Sequence, residues 1–434
     1  MRRTNLHRVI AAAILGVFVI ATASGCAQTS KDKPFSPKLD TNADTSLTVY
    51  GNYSNFEALE SEFERFNEHY PNVNLSYIYL DGYNDTIANS LLSSEAPDIY
   101  CTFNWMWGNP DCADIFESAA DLSAPETGID FSCVRDGVIR KTDNGEILMA
   151  PVLATSFGML VNTDLFEKEG LKVPKTWSEF EMACEKLKAA GYASPVMGYV
   201  SSESGSLEYN FAYPSLCNSA VSNPAMRDSF NELDPSAGEL MRPSLEKLKE
   251  LADDGDIDIE KCENEIEDNY NAAIMRFFEG DVPMLVCSGD VASGTKKRES
   301  QSESFSASPF EYRFYVVPFD EKGGFVIDTV AMNFSVNKNS PNLDMAMEFM
   351  RFLISNSELG NMASVKRLIT TTKDFSLDSM YSSLSDTPKD RMICSTEANI
   401  NDNAVKQFRY AAHHVLVGDM TVDEAIASYG NLEE

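Results

Sequence analysis

The sequence is poor in positive charge, with 35 Lys and Arg against 67 Asp and Glu among 434 residues and a formal net charge of −32. Such a surplus of negative charge repels nucleic acids and anionic lipid headgroups. It also disfavours an anionic ligand, unless the binding site is locally basic. We therefore expect no nucleic-acid partner, and we expect any small ligand to be neutral or weakly polar.

Histidine is also scarce, and the cysteines do not have the spacing of metal ligands. The four histidines include one adjacent pair, His413 and His414, with no H-E-x-x-H motif and no third ligand nearby. The nine cysteines show neither C-x2-C nor Cys–His spacing, so we expect no metal and no cofactor. Most cysteines are interpreted as small hydrophobic residues, and pairing of some of them in an oxidising compartment stays open.

The motifs of common catalytic centres are missing from the chain. There is no G-x-S-x-G and no phosphate-binding glycine loop, and the S-x-x-K of Ser293–Lys296 has no S-D-N or K-T-G partner. These absences favour a binding protein over an enzyme. A glycosidase-type pair of carboxylates has no sequence signature, so a cell-surface glycan hydrolase stays an alternative.

The one long hydrophobic run lies at the N-terminus. Three arginines accompany the run from Val9 to Ala23, which is too short for a durable membrane span and typical of a secretory signal. The following A-S-G-C, ending at Cys26, resembles the lipobox of bacterial lipoproteins, with Ala23 in place of the usual Leu. We expect residues 1–25 to be a signal peptide, Cys26 to be lipidated and residues 26–45 to be a flexible tether.

From residue 46 onward, strand and helix patterns alternate. Ser46–Tyr50 and Leu75–Tyr79 alternate apolar and polar residues as strands do, and Phe56–Phe66 has apolar residues at helical spacing. A further helical pattern precedes a third strand at Pro97–Tyr100. This order predicts an α/β protein with a doubly wound sheet.

Asn104, Trp105 and Trp107 follow the third predicted strand. The carboxyl end of a strand is where open α/β sheets bind their ligands. An aromatic ring can cover the C–H face of a pyranose while short polar side chains bind its hydroxyl groups. We therefore predict that these residues bind a sugar, and the alternative is that the tryptophans cover a core.

The stretch from Phe157 to Gly191 predicts a buried strand, a short helix and a longer helix. Thr176 and Glu179 have capping-box spacing, and apolar residues including Trp177 follow at helical intervals. Farther along the chain, Tyr312–Phe319 predicts another strand, and the polar segment Lys296–Ser308 preceding it predicts a loop.

The order of several short motifs resembles that of the extracellular solute-binding proteins of ABC importers, in the group that binds sugars and oligosaccharides. Val161–Phe166 is similar to that family's yN-x-D-lF turn, and Pro174–Phe180 is similar to its P-x-TW-x-E-f helix start. Ala96–Ile99 resembles a-PD-i before the third strand, and Ile274–Val286 resembles a helix-to-strand step. The family's usual Gly-x-Trp after that step is replaced, with Asp290 in the segment that follows.

The resemblance covers about residues 46–365 and implies an α/β, two-lobed periplasmic-binding-protein-like fold with a ligand cleft between lobes. One lobe would comprise 46–154 and 319–362, and the other 155–318 and 363–434. It implies a monomer, anchored on the extracellular face of a Gram-positive-type cell membrane, that closes around a carbohydrate and delivers it to an ABC permease. A ligand-sensing partner of a membrane receptor is another alternative. The ligand-binding residues implied are Asn52, Tyr53, Asn104, Trp105, Trp107, Thr155, Phe157, Tyr213, Asp290 and Asp328.

Overall fold

A computed structural model of the protein describes residues 34–266, 270–374 and 377–432. The predicted signal peptide, Cys26 and the first part of the predicted tether therefore lie outside the described residues. Among the helices that are described, none is both long and apolar enough to cross a membrane. The eight cysteines in the described ranges are all free.

The strands of the described residues form two sheets. They are β1 (Thr45–Gly51), β2 (Val73–Tyr79), β3 (Ile99–Thr102), β4 (Ala150–Thr155), β5 (Phe157–Asn162), β6 (Val196–Met197), β7 (Met284–Ser288), β8 (Tyr312–Tyr315), β9 (Val326–Val336) and β10 (Met392–Cys394).

Helices flank both sheets. In the described part of the chain they are α1 (Glu57–Asn67), α2 (Tyr83–Leu91), α3 (Ala113–Glu117), α4 (Thr163–Lys168), α5 (Trp177–Ala189), α6 (Tyr213–Ser222), α7 (Pro224–Asn231), α8 (Arg242–Asp253), α9 (Ile259–Glu265), α10 (Tyr270–Phe277), α11 (Gly289–Ser293), α12 (Thr295–Gln301), α13 (Glu303–Ala307), α14 (Leu343–Leu353), α15 (Asn356–Lys366), α16 (Ser395–Ala398), α17 (Asp402–Val417) and α18 (Val422–Ala427). A single π-helical turn, Leu207–Phe211, precedes α6.

The first sheet has six strands in the order β10-β9-β3-β1-β2, with β4 also paired to β9. β1 runs parallel to β2 and β3, so the carboxyl ends of β1 and β3 meet at one edge. The long strand β9 is antiparallel to β3 and β4. The second sheet has four strands in the order β6-β7-β5-β8, with β5 antiparallel to both of its neighbours.

Each sheet has its own hydrophobic core. The first core draws its buried residues from positions 47–153 and 330–368. The second draws them from positions 154–327 and 369–432. The chain therefore passes between the two cores three times: at Leu153–Ala154, at Ile327–Val330 and at Leu368–Ile369.

The three crossing segments are hydrogen-bonded to one another. Ala154 and Ile369 exchange backbone hydrogen bonds of 2.8 and 3.1 Å, and Thr155 lies opposite Thr329 in the pairing of β4 with β9. Only Ser156 separates β4 from β5, and its hydroxyl accepts a hydrogen bond of 3.2 Å from the Ile327 amide. Side chains at these crossings lie where the two sheets meet.

Helix α5 begins as its sequence predicts. The Thr176 hydroxyl accepts a 3.3 Å hydrogen bond from the Glu179 amide, which satisfies one of the free donors at the helix start. The Glu179 carboxylate accepts from the amide of Lys175 rather than from that of Thr176, at 2.8 Å. Trp177 is buried and stacks on Phe180, with ring centroids 5.3 Å apart.

Two local predictions were wrong. Lys296–Ser308 forms α12 and α13 instead of a loop, because Ser302 caps the second helix and Phe305 packs against Phe278 at 5.3 Å. The strand predicted at Tyr312–Phe319 ends at Tyr315. Helices α12 and α13 depend on tertiary contacts, which cannot be predicted from the polar composition of the segment.

Candidate functional site

Two groups of predicted ligand-binding residues follow neighbouring parallel strands. Asn52 and Tyr53 come directly after β1, and Asn104, Trp105 and Trp107 come after β3. Asn52 is exposed, and 38 % of the Trp105 surface is exposed. Because parallel strands present their carboxyl ends at one edge, both groups lie on the same side of the first sheet.

Asn104 reaches the crossing segments. Its amide nitrogen donates a 3.3 Å hydrogen bond to the hydroxyl of Thr329. Thr329 is the partner of Thr155 in the register of β9 and β4. The loop after β3 is therefore tied to the place where the chain passes from the first core to the second.

Tyr53 is held in place from two directions. Its backbone amide donates to the Tyr77 hydroxyl, and that hydroxyl donates to the Tyr53 carbonyl, both at 2.9 Å. The ring packs edge-on against Phe56 at 5.0 Å, and the Lys366 ammonium lies 4.3 Å from the Tyr53 ring centroid. Burial, and then the negative charge of Asp290, raise the pKa of the Tyr53 phenol. Tyr53 follows a strand of the first sheet and Asp290 follows a strand of the second, so the ends of these two strands lie near each other.

Asp290 lies just beyond the end of β7 and is exposed to solvent. Surrounding protein atoms raise the pKa of its carboxyl, while hydrogen bonds with Thr155 and Ser288 oppose that rise. A side chain that is both surrounded by protein and reached by solvent lies in a concave site. A Cβ at the neighbouring Gly289 would lie 2.6 Å from the Thr155 hydroxyl oxygen, so a larger residue there would displace the Thr155 side chain.

Three aromatic rings form a cluster at the start of the second sheet. Phe157 opens β5, Tyr209 lies on the π-helical turn and Tyr213 begins α6. Their ring centroids are 4.6 to 5.6 Å apart. Arg409 of α17 lies over the Tyr209 ring, with its guanidinium carbon 4.4 Å from the centroid. The Phe157 and Tyr213 rings are buried and the Tyr209 ring is half-buried. Apolar ring faces together with phenol hydroxyls are a combination that suits a sugar ring.

A contact between a buried carboxyl and a histidine lies beside Tyr209. Glu208, the residue before it, is fully buried and lies 3.0 Å from Nδ1 of His413. The Glu208 carboxylate also accepts from the Ser201 amide at 3.0 Å. The hydrogen bond to Glu208 raises the pKa of His413, and burial raises the pKa of the Glu208 carboxyl. The π-helical geometry, rare in proteins and frequent at functional sites, is thus tied to α17.

Contacts also join the loop after β3 to α17. The Asn109 amide nitrogen donates to the carboxylate of Asp402, at the start of α17, over 3.4 Å. Arg140, from the segment before β4, is close enough to the Tyr213 phenol for its charge to lower the pKa of that group, against the larger raising effect of burial. Residues from both cores therefore surround one region, which we call the inter-sheet site: Tyr53, Asn104, Asn109, Arg140, Thr155, Phe157, Tyr209, Tyr213, Asp290, Lys366, Asp402 and Arg409.

Two of the predicted site residues make other contacts. The ring of Trp107 packs edge-on against Phe116 at 5.3 Å and lines a surface pocket of about 580 Å³. Asp328 is bound at both carboxylate oxygens by Arg135, at 2.8 and 2.7 Å. The sequence did not point to Arg140, Lys366 or Arg409, whose partners Tyr213, Tyr53 and Tyr209 are distant in the chain.

Among the described residues, one set of three acidic side chains has the spacing of a cation site. Oxygen atoms of Glu181, Glu250 and Asp254 lie within 4.8 Å of one another. The Trp177 indole and the Lys247 ammonium already donate to Glu250, at 3.0 and 2.7 Å. These two donors occupy the Glu250 carboxylate.

The sequence profile of one family, described as bacterial extracellular solute-binding protein, matches residues 50–358. The chain belongs to this family. It is 26 % identical over 205 residues to an uncharacterised ABC transporter extracellular-binding protein of Pyrococcus horikoshii, covering 45 % of this chain and 48 % of that one. It is 22 % identical over 212 residues to the multiple sugar-binding protein of Streptococcus mutans, covering 48 % of each. The chain thus spans about half the length of these relatives.

Among solved structures, that of the solute-binding protein RafE in complex with raffinose is similar. The TM-score is 0.66 at 17 % identity, with 89 % of this chain and 99 % of that chain covered. The similarity shows the fold: a mixed α/β, two-lobed periplasmic-binding-protein fold with helices flanking each sheet. The predicted fold class and family resemblance are confirmed.

Proposed function

We propose that this solute-binding protein captures a sugar or oligosaccharide outside the cell and delivers it to the permease of an ABC importer. One observation carries the proposal: aromatic rings and hydrogen-bonding side chains from both sheets surround the inter-sheet site. Phe157, Tyr209 and Tyr213 supply ring faces, while Asn104, Thr155 and Asp290 supply polar groups. The sugar-binding relative and the raffinose complex support the same ligand class.

We also propose that the two lobes comprise residues 46–154 with 319–362 and residues 155–318 with 363–434. The membership of the two cores agrees with the boundary at 154/155, whereas the buried residues from 319 to 327 pack in the second core and those from 363 to 368 pack in the first. The paired crossing segments would form the hinge, because few backbone torsions there separate two well-packed bodies. Closure would bring Tyr53 and Asn104 on one lobe and Phe157 and Asp290 on the other against the ligand.

A screen of the purified protein against mono- and oligosaccharides tests this function. A ligand at 100 times its dissociation constant should stabilise the folded protein by about 2.7 kcal/mol, which thermal unfolding detects easily. We expect saturable binding and recovery of the ligand unchanged. Failure of every saccharide to shift the melting temperature would contradict the proposal, and hydrolysis of a bound oligosaccharide would favour a glycan hydrolase instead.

We further propose that the protein is a monomeric lipoprotein held on the outer face of a Gram-positive-type membrane through Cys26. The A-S-G-C sequence supports this, and Cys26 lies outside the described residues. Cys26→Ser should move the protein from the membrane fraction to the medium, because the acylated thiol is removed. Cys112→Ser, which changes a described cysteine, is the matched control and should leave the protein with the membranes. Membrane association unchanged in Cys26→Ser would contradict lipid anchoring.

A further inference from the structure

Arg140 is a cation in the inter-sheet site without a counter-ion. Across the described residues, its guanidinium makes no hydrogen bond or ion pair, and its Nε atom is buried without a partner. The Tyr213 phenol is the one titratable group that acts on its charge, and the surrounding protein lowers the pKa of Arg140. An arginine keeps its charge in such surroundings, because its pKa stays far above neutrality.

Several half-buried arginines of this chain, unlike Arg140, have a carboxylate partner. Acidic residues outnumber basic ones by 67 to 35, so carboxylates are available in number. Arg135 holds Asp328 at 2.7 Å, and Arg351 holds Glu348 at 2.6 Å. With so many carboxylates available, an unpaired guanidinium at this position requires a reason.

A second guanidinium lies at the same end of the site. Arg409 covers the Tyr209 ring and donates to the Glu203 carbonyl at 2.6 Å, while its Nε atom is buried without a partner. Tyr209 and Tyr213 lie between the two arginines, with ring centroids 4.6 Å apart. The acidic residues of the inter-sheet site are Asp402, which accepts from Asn109 and interacts with the charge of Arg409, and Asp290, which lies by Thr155 and Tyr53.

A partly desolvated charge without a partner destabilises the protein. A ligand that brings a carboxylate to Arg140 would remove that cost and gain the paired, charge-assisted hydrogen bonds that a planar guanidinium makes. The overall negative charge does not prevent this. At physiological ionic strength, charges are screened over about 8 Å, so the groups lining the site dominate at contact distance.

We propose that Arg140 recognises a carboxylate on the bound saccharide, and that the protein selects acidic, uronic-acid-containing oligosaccharides over neutral ones. The inference rests on the proposed function and specifies its ligand class. It also reverses the expectation of a neutral ligand, which came from net charge alone. In this arrangement, Phe157, Tyr209 and Tyr213 would contact the sugar ring whose carboxylate Arg140 binds.

Binding of matched ligands by calorimetry tests the proposal. The probes are digalacturonate, trigalacturonate and glucuronosyl-xylose, each compared with the same molecule after chemical reduction of its carboxyl group to the alcohol. Raffinose, maltotriose and xylotriose form a neutral series, and free acetate tests for a simple anion site. We expect the acidic member of at least one pair to bind roughly 30-fold more tightly, because an interfacial charge pair is worth a few kcal/mol.

Variants of the protein then test the residue. Arg140→Gln should reduce the preference for the acidic member to within about threefold, and Arg140→Lys should retain part of it by keeping the charge. Arg313→Gln is the matched control, since Arg313 is exposed on β8 and should leave the preference unchanged. Melting curves verify that each variant is folded. If Arg140→Gln does not fold, the comparison of acidic and neutral ligands on the wild-type protein still tests the ligand class.

The outcomes separate the two claims. Tight binding of a neutral saccharide, with no preference for any acidic partner in the matched pairs, would overturn the inference and leave the proposed function intact. An acidic preference that survives Arg140→Gln would overturn the role of Arg140. Acetate binding as tightly as the uronates would also overturn it, and binding of none of the saccharides would overturn the proposed function as well.

Discussion

Replacing Trp105 with Ala is expected to weaken saccharide binding by roughly 30-fold, since a central aromatic contact is worth about 2 kcal/mol or more. Trp105 follows β3 beside Asn104, which is bound to Thr329 at the crossing segments. With 38 % of its surface exposed, Trp105 contributes little to the first core. The melting temperature should therefore change little, and titration with the saccharide found by screening measures the loss.

Trp107→Ala is the matched control for this prediction. The Trp107 ring packs against Phe116, so its removal should lower the free energy of unfolding by about 1–3 kcal/mol and leave the affinity of the folded protein nearly unchanged. If Trp105→Ala binds like the parent, Trp105 is not a stacking platform. If Trp107→Ala instead loses affinity without losing stability, Trp107 is the residue on which the sugar ring stacks.

Replacing Asp328 with Ala is expected to lower the free energy of unfolding by about 2 kcal/mol, because Arg135 loses two charge-assisted hydrogen bonds in a half-buried setting. The Asp328 and Arg135 side chains are 18 % and 15 % exposed. Arg135 also donates through Nη1 to the carbonyls of Thr370 and Thr372, just beyond the third crossing. Chemical denaturation of Asp328→Ala, Arg135→Ala and the double variant gives the coupling between the two side chains.

The control is the exposed pair formed by Arg242 and Asp423. Asp423 is 82 % exposed and lies 2.8 Å from Arg242, so Asp423→Ala should cost no more than about 1 kcal/mol. Asp328 was predicted from sequence as a ligand contact. A variant Asp328→Ala with unchanged stability and much weaker saccharide binding would favour that role over the structural one.

The Arg135–Asp328 pair links two of the three segments in which the chain crosses between the cores. Asp328 lies in β9 between the two cores, and Thr370 and Thr372 follow the crossing at Ile369. A hinge must bend without separating the bodies that it joins. We expect the bidentate pair to keep the three segments together while the lobes move.

Much of the fold was predictable from local patterns. The alternation in β1 and β2, the apolar spacing in α1 and the Thr176 cap of α5 are each determined by a few neighbouring residues. These patterns depend on the periodicity of apolar side chains and on local hydrogen bonds, both of which are determined by residues close together in the sequence. The two short helices α12 and α13 were not predictable in this way, because Phe305 is anchored by Phe278 and Phe310.

The sequence alone determined the strand and helix periods, the acidic balance, the A-S-G-C near the N-terminus and the order of motifs that placed the chain in its family. Only the tertiary structure decided which side chains meet at the inter-sheet site. Glu208 and His413 are 205 positions apart, and Asn104 and Thr329 are 225 apart. Contacts between residues so far apart in the sequence depend on how the chain crosses between the two cores. The local periodicity of side chains does not predict such crossings. Net charge is likewise a property of the sequence, whereas the charges packed around the inter-sheet site were decided by the tertiary structure, because they come from residues far apart in the chain.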